Sequence, residues 1–196
     1  MFRSTGIKTF SSSLPNLEEG DVMFGWCSAL TSFTSELPKL KTANEMFNSS
    51  TLLATFTASE MPELVYAARM FNYTKLTSFS MTLPKLKDAN FMFEHCKSIK
   101  TFSLIAPELE TANNLLSCTE TAGVVTTAHL DAPKLKTCTR GFQNCTSLTT
   151  FTGDLSSLLD GTYMFYYCKL DGPSVANIYN SIQTITIPKS EYDNVG

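Results

Sequence analysis

The sequence has little of what marks a membrane protein, a disulfide scaffold or a nucleic-acid-binding protein. No apolar run approaches the length of a membrane span. Only 17% of the residues are charged and the net charge is −3, so no strongly basic face is available to follow a phosphate backbone. Six cysteines in 196 residues are too sparse to demand a disulfide scaffold. We therefore expect neither membrane insertion nor nucleic-acid binding.

The first residues, MFRSTGIKTFSSS, lack the apolar segment of a signal peptide. Two interpretations remain open: the protein is not secreted, or the chain begins downstream of its signal. The composition is 43% hydrophobic with 14 phenylalanines, which is too apolar for a disordered protein. The chain can therefore bury a core.

Residues that carry catalysis or bind metals are also scarce. The only histidines, His95 and His129, have no Cys, Asp or His neighbours at the spacing of metal ligands. A catalytic pair of His95 with Cys96 is disfavoured, because Cys96 should face inward and its neighbour outward. No phosphate-binding loop, G-x-S-x-G or dinucleotide fingerprint is present. We therefore predict a protein that is not an enzyme and needs no cofactor or metal.

What the chain contains instead is a repeat. The dipeptide Met-Phe, or a degenerate form of it, recurs eight times at intervals of 22 to 26 residues, and Leu-Pro or a variant recurs in step with it. One unit reads L-x-x-F-x-x-x-L-P-x-L-x-x-A-x-x-M-F-x-x-C-x-x. The eight Met-Phe positions, here called rungs 1 to 8, are Met1-Phe2, Met23-Phe24, Met46-Phe47, Met70-Phe71, Met92-Phe93, Leu115-Leu116, Gly141-Phe142 and Met164-Phe165. Two anchors that keep step with each other indicate a repeat architecture.

A unit of about 23 residues is too short to bury a core of its own, so successive units must stack. We predict a right-handed repeat solenoid, α/β or mainly β, with about seven coils over residues 1–170. The L-x-x-F segments should form a parallel sheet on one face, with like residues stacked ~4.8 Å apart. The Met-Phe segments should form the return side from turns or short 3₁₀ pieces.

The residues that flank the second leucine of each unit support stacking in register. They are Asn16 and Glu18, Lys39 and Lys41, Glu63 and Val65, Lys85 and Lys87, Glu108 and Glu110, and Lys134 and Lys136. The sign alternates from coil to coil, so stacking in register brings opposite charges together. Each such pair should contribute roughly 0.2–1 kcal/mol.

The two ends carry different predictions. Residues 173–183 predict a short helix with Pro173 in its first turn and Val175, Ile178 and Ile182 on one face. With a final strand at 185–187, residues 171–196 should cap the solenoid within the same domain. At the other end the sequence opens halfway through a unit. We expect either a fragment of a longer protein or a solenoid with an unusually short cap.

Small residues follow each rung at the x-x-C position. They are Cys27, Ser50, Thr74, Cys96, Thr119, Cys145 and Cys168. Exchange among Cys, Ser and Thr predicts a tight buried turn with a weak hydrogen bond, where a free thiol behaves as a small hydrophobe. A disulfide between the stacked Cys145 and Cys168 is the less favoured alternative. Cys118 and Cys138 lie in an irregular unit, and the repeat pattern predicts no role for them.

Hydroxyl residues flank the phenylalanine of each predicted strand, and they should point outward if the phenylalanine points inward. The predicted ligand-binding residues on this sheet face are Ser32, Thr34, Thr55, Thr57, Ser78, Ser80, Thr101, Ser103, Thr127, His129, Thr150 and Thr152. At its edge we expect Glu36, Glu60, Asp131 and Asp154.

Three interpretations of these hydroxyl rows remain open. The residues are ordinary soluble strand formers, since threonine favours strands, or they form a binding face for an extended polar ligand such as a glycan or a peptide. The third interpretation is an ice-binding surface, which the mixture of Ser with Thr and the break at His129 disfavour.

The unit resembles the leucine-rich repeats of the BspA-like (Treponema-type) family, in the variant of bacterial surface proteins where Met-Phe-x-x-Cys follows an alanine. The residues that carry the resemblance are Leu83, Pro84, Leu86, Ala89, Met92, Phe93, Cys96 and their equivalents. It covers about residues 1–170. The unit at 106–131 departs from it, because Met-Phe is lost, Ala128 replaces Phe and three residues are inserted, so this coil should bulge.

The resemblance implies a leucine-rich-repeat protein, at the cell surface or secreted by a host-associated bacterium. Its function would be that of a ligand-binding or adhesion module, and its partner a protein or glycan on a host or neighbouring cell. Similar repeats in phage proteins leave an alternative, a structural or spacer part of a phage or prophage particle or of a larger surface protein. In that case the chain would be part of a virion, or its partners would be further repeats of the same longer chain.

Overall fold

The computed structural model describes residues 1–58, 60–118 and 122–182. These residues form seven short strands and one helix. They are β1 (Thr9–Ser11), β2 (Ser32–Ser35), β3 (Thr55–Ala58), β4 (Ser78–Thr82), β5 (Thr101–Ile105), β6 (Thr127–Asp131), β7 (Thr150–Thr152) and α1 (Gly172–Ser181). The strands stack in parallel into a solenoid of about six turns. The predicted repeat solenoid is confirmed, while its handedness and its leucine-rich-repeat identity stay predictions.

The phenylalanine of each strand sets the register of the sheet. Phe10 pairs with Phe33, and Phe33 pairs with Phe56. Further along the solenoid, Phe79 pairs with Phe102. The stacked rings lie 5.2 Å apart for Phe10 and Phe33 and 5.6 Å apart for Phe33 and Phe56. The ladder predicted from the repeat is therefore present, and each coil contacts mainly its neighbours.

A second phenylalanine ladder, from the rungs, runs along the opposite wall of the core. The ring of Phe47 stacks on Phe24 and on Phe71, at 5.5 Å in both cases. The two ladders meet edge to face, with the rings of Phe33 and Phe47 at 4.8 Å. Both arrangements are favourable geometries for aromatic pairs. The core is therefore held by stacking along the solenoid and by edge-to-face contacts across it.

The return side consists of turns, as predicted. Alternate backbone N–H groups donate to the next coil, as Glu45 N does to Ala68 O at 2.8 Å. The intervening N–H groups close turns within the coil, as Met46 N does to Ala43 O at 3.1 Å. The backbone is thus hydrogen-bonded within and between coils, which a buried wall requires.

The return side also contains left-handed residues that are not glycine. Most coils have two of them, four residues apart, with φ between 54° and 64°. They are Ser4, Val22, Trp26, Glu45, Ser49, Arg69, Tyr73, Phe91, His95, Asn114, Arg140, Asn144, Tyr163 and Tyr167. Such a conformation is costly for a bulky side chain. It persists here because the turn and inter-coil hydrogen bonds fix it in coil after coil.

Within the described ranges, the sheet is interrupted once, between β3 and β4. Strands β1–β3 and β4–β7 form two separate sheets on the same face of the solenoid. At the junction, the ring of Phe71 lies 4.8 Å from Phe56 and 6.0 Å from Phe79, so it bridges the two strand ladders. The strand of the irregular unit stays in register, since Ala128 pairs with Phe102. The bulge predicted at its inserted residues falls partly on 119–121, which lie outside the described residues.

The alternation of charge predicted from the sequence is confirmed. Between described residues, four lysines form salt bridges with the coil before them: Lys41 with Glu18 at 2.6 Å, Lys85 with Glu63 at 2.7 Å, Lys134 with Glu108 at 2.7 Å and Lys136 with Glu110 at 3.0 Å. The hydrogen bond and charge of Lys41 lower the pKa of Glu18, and those of Lys136 lower the pKa of Glu110. These pairs are exposed, so they fix register more than they add stability.

Most of the small residues after the rungs make the predicted hydrogen bonds, and Thr119 lies outside the described residues. Cys96 Sγ donates to Phe71 O at 2.9 Å, and Ser50 Oγ donates to Phe24 O at 2.7 Å. In both cases the acceptor is the rung carbonyl of the preceding coil. This shared acceptor explains why Cys and Ser exchange at this position.

The C-terminal helix covers the last coil. Asp171 caps α1 by accepting the N–H of Ser174 at 2.8 Å, and Ile178 is buried against the core. Ser174 Oγ accepts the N–H of Phe151 at 2.8 Å, which satisfies a donor of the last strand. The predicted capping helix is confirmed, and the strand predicted after it lies outside the described residues.

Candidate functional site

The hydroxyl residues that flank the phenylalanines point outward, as predicted. All twelve predicted binding residues lie on β2 to β7, and each is exposed or half-exposed. In β5, for example, Phe102 is 3% exposed, whereas Thr101 is exposed and Ser103 is half-exposed. The period of two along each strand therefore separates the core from the sheet face.

Seven of the twelve residues meet in one open depression of about 310 Å³ above β4 to β7. Its lining consists of Phe79, Ser80, Thr101, Phe102, Ser103, Thr127, Ala128, His129, Thr150 and Thr152. The structure does not bring the other five into it. These are Ser32, Thr34, Thr55, Thr57 and Ser78.

His129 and Thr152 form one wall of the depression. They are register partners on β6 and β7, and His129 Nδ1 lies 2.9 Å from Thr152 Oγ1. Gly153 follows with φ of 140°, and a Cβ there would overlap the carbonyl oxygen of Leu130. Only glycine fits this position, so β7 ends here and holds Thr152 against His129.

The depression offers hydrogen bonds, and no Asp, Glu, Lys or Arg side chain of the described residues lines it. Serine and threonine hydroxyls donate and accept, and the imidazole of His129 adds one more polar group. The predicted acidic residues at the edge, Glu36, Glu60, Asp131 and Asp154, are exposed or half-exposed but do not line it. This arrangement suits a polar ligand that is held by many hydrogen bonds.

The expectation that His95 faces outward is wrong. Its side chain is 7% exposed and stacks on the ring of Tyr73 at 4.3 Å. The left-handed backbone at His95 turns the side chain back against the neighbouring coil, while Cys96 stays buried beside it. Burial raises the pKa of the Cys96 thiol to about 12. In the part of the chain that the structure describes, no group of three His, Cys, Asp or Glu side chains is placed to hold a metal ion.

The irregular unit brings together two thiols, one of which the sequence left unassigned. The sulfurs of Cys118 and Cys145 lie 3.1 and 3.5 Å from the position that a Cβ on Gly123 would occupy. Both thiols donate to the carbonyl oxygen of Leu116, Cys118 Sγ at 3.7 Å and Cys145 Sγ at 3.4 Å. All six cysteines are free thiols, so the alternative disulfide is absent, and Cys168 Sγ donates to Phe142 O at 3.2 Å instead.

Sequence reasoning missed a second surface, on the return side. We call it the aromatic–arginine face, and it consists of Arg3, Trp26, Arg69, Tyr73, Phe91, Arg140, Tyr163, Tyr166 and Tyr167. Each guanidinium lies over a ring of the next coil: Arg3 over Trp26 at 4.6 Å, Arg69 over Phe91 at 4.3 Å and Arg140 over Tyr163 at 5.7 Å. One sequence signal for this face was available, because most of these residues either directly precede a Met-Phe rung or come two residues after it.

Comparisons with known proteins identify no family. No family model, no curated protein and no solved structure matches the chain. No helix among the described residues has the length and apolar character needed to cross a membrane. The resemblance to BspA-like repeats therefore rests on the sequence alone and stays a prediction.

Proposed function

We propose that this chain is a non-enzymatic ligand-binding or adhesion module that holds an extended polar ligand, a glycan or a peptide, on its sheet face. The observation that carries the proposal is the convergence of seven hydroxyl and imidazole residues from four adjacent strands in one depression. A surface that is ordered before binding loses little entropy when a ligand arrives, so weak contacts can add up.

The spacing of the strands favours an extended ligand. Neighbouring strands repeat the same kind of polar group every ~4.8 Å along the solenoid. Threonine side chains are stiff at χ1, so their hydroxyls are held in place before binding. A ligand whose own polar groups repeat along a chain matches this surface better than a compact molecule does.

The resemblance to BspA-like repeats supports a location for this activity. It favours a bacterial cell surface or the secreted fraction, with a protein or glycan of a host or neighbouring cell as the partner. A chain of stacked coils presents its sheet face along its whole length, which suits contact with a second surface.

The test is a binding screen of the purified chain against a glycan array and an array of surface-protein peptides. Thr101→Glu and Thr127→Glu together place two carboxylates inside the depression. Ser28→Glu and Thr162→Glu add the same two carboxylates at exposed turn positions, outside the depression and outside the twelve predicted residues. We expect the first pair to weaken binding by about tenfold or more and the control pair to leave it unchanged. If the two double variants bound the ligand with equal affinity, the depression would be excluded as the binding site.

A second candidate function is a structural or spacer part of a phage or prophage particle or of a larger surface protein. The first coil favours it, because its apolar side chains are only partly buried. They are Phe2, Ile7, Phe10, Leu14 and Leu17. Their equivalents one coil later are fully buried. Exposed apolar surface of this kind marks contact sites. Failure of the wild-type chain to bind in either array would favour this candidate.

A further inference from the structure

The aromatic–arginine face is composed of the residue types that dominate protein–protein contacts. It holds the only tryptophan, all three arginines and four of the seven tyrosines of the chain. Trp, Tyr and Arg are enriched among the residues that carry most of the energy of protein interfaces. Trp26, Tyr163 and Tyr167 are 38%, 41% and 54% exposed, so their rings are accessible to a partner.

The arginines of this face have no carboxylate partner within the described residues. All four salt bridges found there use lysine. Arg3, Arg69 and Arg140 instead lie over aromatic rings, an arrangement that holds the planar guanidinium in place. The N–H groups at the guanidinium edge then stay available for a carboxylate of a partner.

Acidic residues lie beside the same rungs. Asp21 accepts the backbone N–H of Asn44 at 2.7 Å, and Glu94 accepts the side-chain amide of Asn72 at 2.9 Å. Glu45 accepts the amide of Asn48 at 3.1 Å. None of these three carboxylates forms a salt bridge within the described chain. The surface therefore presents charges of both signs that are not paired with each other.

The order of these charges along the rungs has a specific symmetry. Arg3 belongs to rung 1, Asp21 to rung 2, Glu45 to rung 3, Arg69 to rung 4, Glu94 to rung 5, Asn114 to rung 6, Arg140 to rung 7 and the three tyrosines to rung 8. Suppose that two copies lie antiparallel, so that rung 1 of one copy faces rung 8 of the other and rung 4 faces rung 5. Each arginine then lies opposite a carboxylate or an aromatic residue and never opposite another arginine.

We propose that the aromatic–arginine face binds a second copy of this chain, antiparallel, about a two-fold axis between rungs 4 and 5. The axis places Arg69 opposite Glu94 of the second copy and Arg140 opposite Asp21 of the second copy. Arg3 meets the ring of Tyr166 of the second copy at the end of the contact. In such an interface every contact occurs twice, so each complementary pair counts double.

Other registers bring like charges together. An axis through rung 4 sets Arg69 against itself, and an axis through rung 5 sets Glu94 against itself. An axis between rungs 5 and 6 sets Arg69 against Arg140. A parallel arrangement sets each rung against its own copy. With the two-fold axis between rungs 4 and 5, no like charges face each other. In this arrangement each of the eight rungs of one copy also faces a rung of the other copy.

The dimer leaves both sheet faces on the outside, since the two phenylalanine ladders separate the sheet from the return side. If the proposed function is correct, one dimer presents two depressions. A dimer whose two depressions bind the same ligand or the same surface would then have a higher affinity than one depression alone, because the first contact raises the effective concentration for the second. Self-association itself does not depend on any ligand, so the two proposals fail independently.

The test is sedimentation of the full chain over a range of concentrations. Asp21→Arg alone and Arg140→Glu alone each place like charges across the axis, and each should weaken association by about tenfold or more. The double variant exchanges the charges and should restore the dimer. Lys100→Glu, on an exposed residue before β5, changes the net charge by the same amount as Arg140→Glu and should leave association unchanged.

Two further readouts keep the test independent of folding defects. Trp26 is the only tryptophan, so its emission should shift to shorter wavelength with the same concentration dependence as dimer formation. A variant with Arg3→Cys and Tyr166→Cys should form intermolecular disulfides on oxidation by molecular oxygen, with two thiols giving one S–S bond as the oxygen is reduced. Arg3→Cys alone should not. A monomer at all concentrations, or a double charge variant without rescue, would overturn the proposal.

Discussion

The ring of Phe79 lies 4.5 Å from the ring of Phe93, and this contact joins the strand ladder to the rung ladder in the middle of the solenoid. Phe79 is 6% exposed and also stacks on Phe102 at 6.0 Å. Phe79→Ala should lower the free energy of unfolding by about 3–5 kcal/mol, because it removes buried contacts on both ladders and leaves a cavity. Urea denaturation measures this change.

The matched control is Tyr179→Ala, which truncates an aromatic side chain that is 80% exposed on α1. It should change the free energy of unfolding by no more than about 0.5 kcal/mol. Equal effects of the two substitutions would mean that the strand ladder does not form the core.

Gly153 supports a backbone conformation that no other residue can adopt without strain. Its φ is 140°, and an added Cβ would overlap the carbonyl oxygen of Leu130 on the neighbouring strand. Gly153→Ala should therefore destabilise the fold by about 1–3 kcal/mol or more. Gly6→Ala is the control, since nothing lies within 4 Å of a Cβ at that position. Thermal unfolding of both variants should show a lower melting temperature for Gly153→Ala alone.

Much of the fold could be predicted because the repeat encodes register directly. Identical residues at identical positions, such as Phe10 and Phe33, stack only if the coils align, and the alternating signs of Glu63 and Lys85 specify the same alignment. The outward direction of Thr127 follows from the inward direction of Ala128. The depression did not follow from these rules, since its volume depends on how four strands lie relative to one another.

The return side could not be predicted in the same way. Phe91 and His95 adopt left-handed backbone that their residue types disfavour. Hydrogen bonds to the next coil stabilise this conformation, and the residue types at these positions carry no signal for those bonds. For this reason the burial of His95 and the position of the arginines over aromatic rings could not be predicted from the sequence.

Ser50 tests the hydrogen bonds that follow each rung. Its hydroxyl donates to Phe24 O at 2.7 Å and accepts the N–H of Cys27 at 3.1 Å, and the side chain is fully buried. Ser50→Ala leaves a buried carbonyl and a buried N–H without this partner, which should cost about 1–3 kcal/mol. Ser50→Cys is the matched control and should cost less, because cysteine occupies this place at Cys96. Both variants are compared by urea denaturation. A lower free energy of unfolding for Ser50→Cys than for Ser50→Ala would contradict the role assigned to this position.

The buried thiols predict how stability changes with pH. Burial raises the pKa of Cys96 and the pKa of Cys168 to about 12, from an ordinary value of 9.0. Between these values the unfolded chain loses the thiol proton and the folded chain keeps it. Since the folded state then binds more protons, the free energy of unfolding falls as the pH rises above 9. The fall should approach about 1.4 kcal/mol per pH unit for each thiol.

Urea denaturation at pH 8 and pH 10 measures this effect. The comparison uses a variant with Cys96→Ser and Cys168→Ser, since serine does not ionise in this range and is tolerated at the equivalent Ser50. The lysines and tyrosines are the same in both proteins, so their contribution cancels in the difference. The wild type should lose more stability than the variant between the two pH values. Equal losses would mean that these thiols reach solvent and ionise in the folded chain, contrary to the packing of the solenoid core.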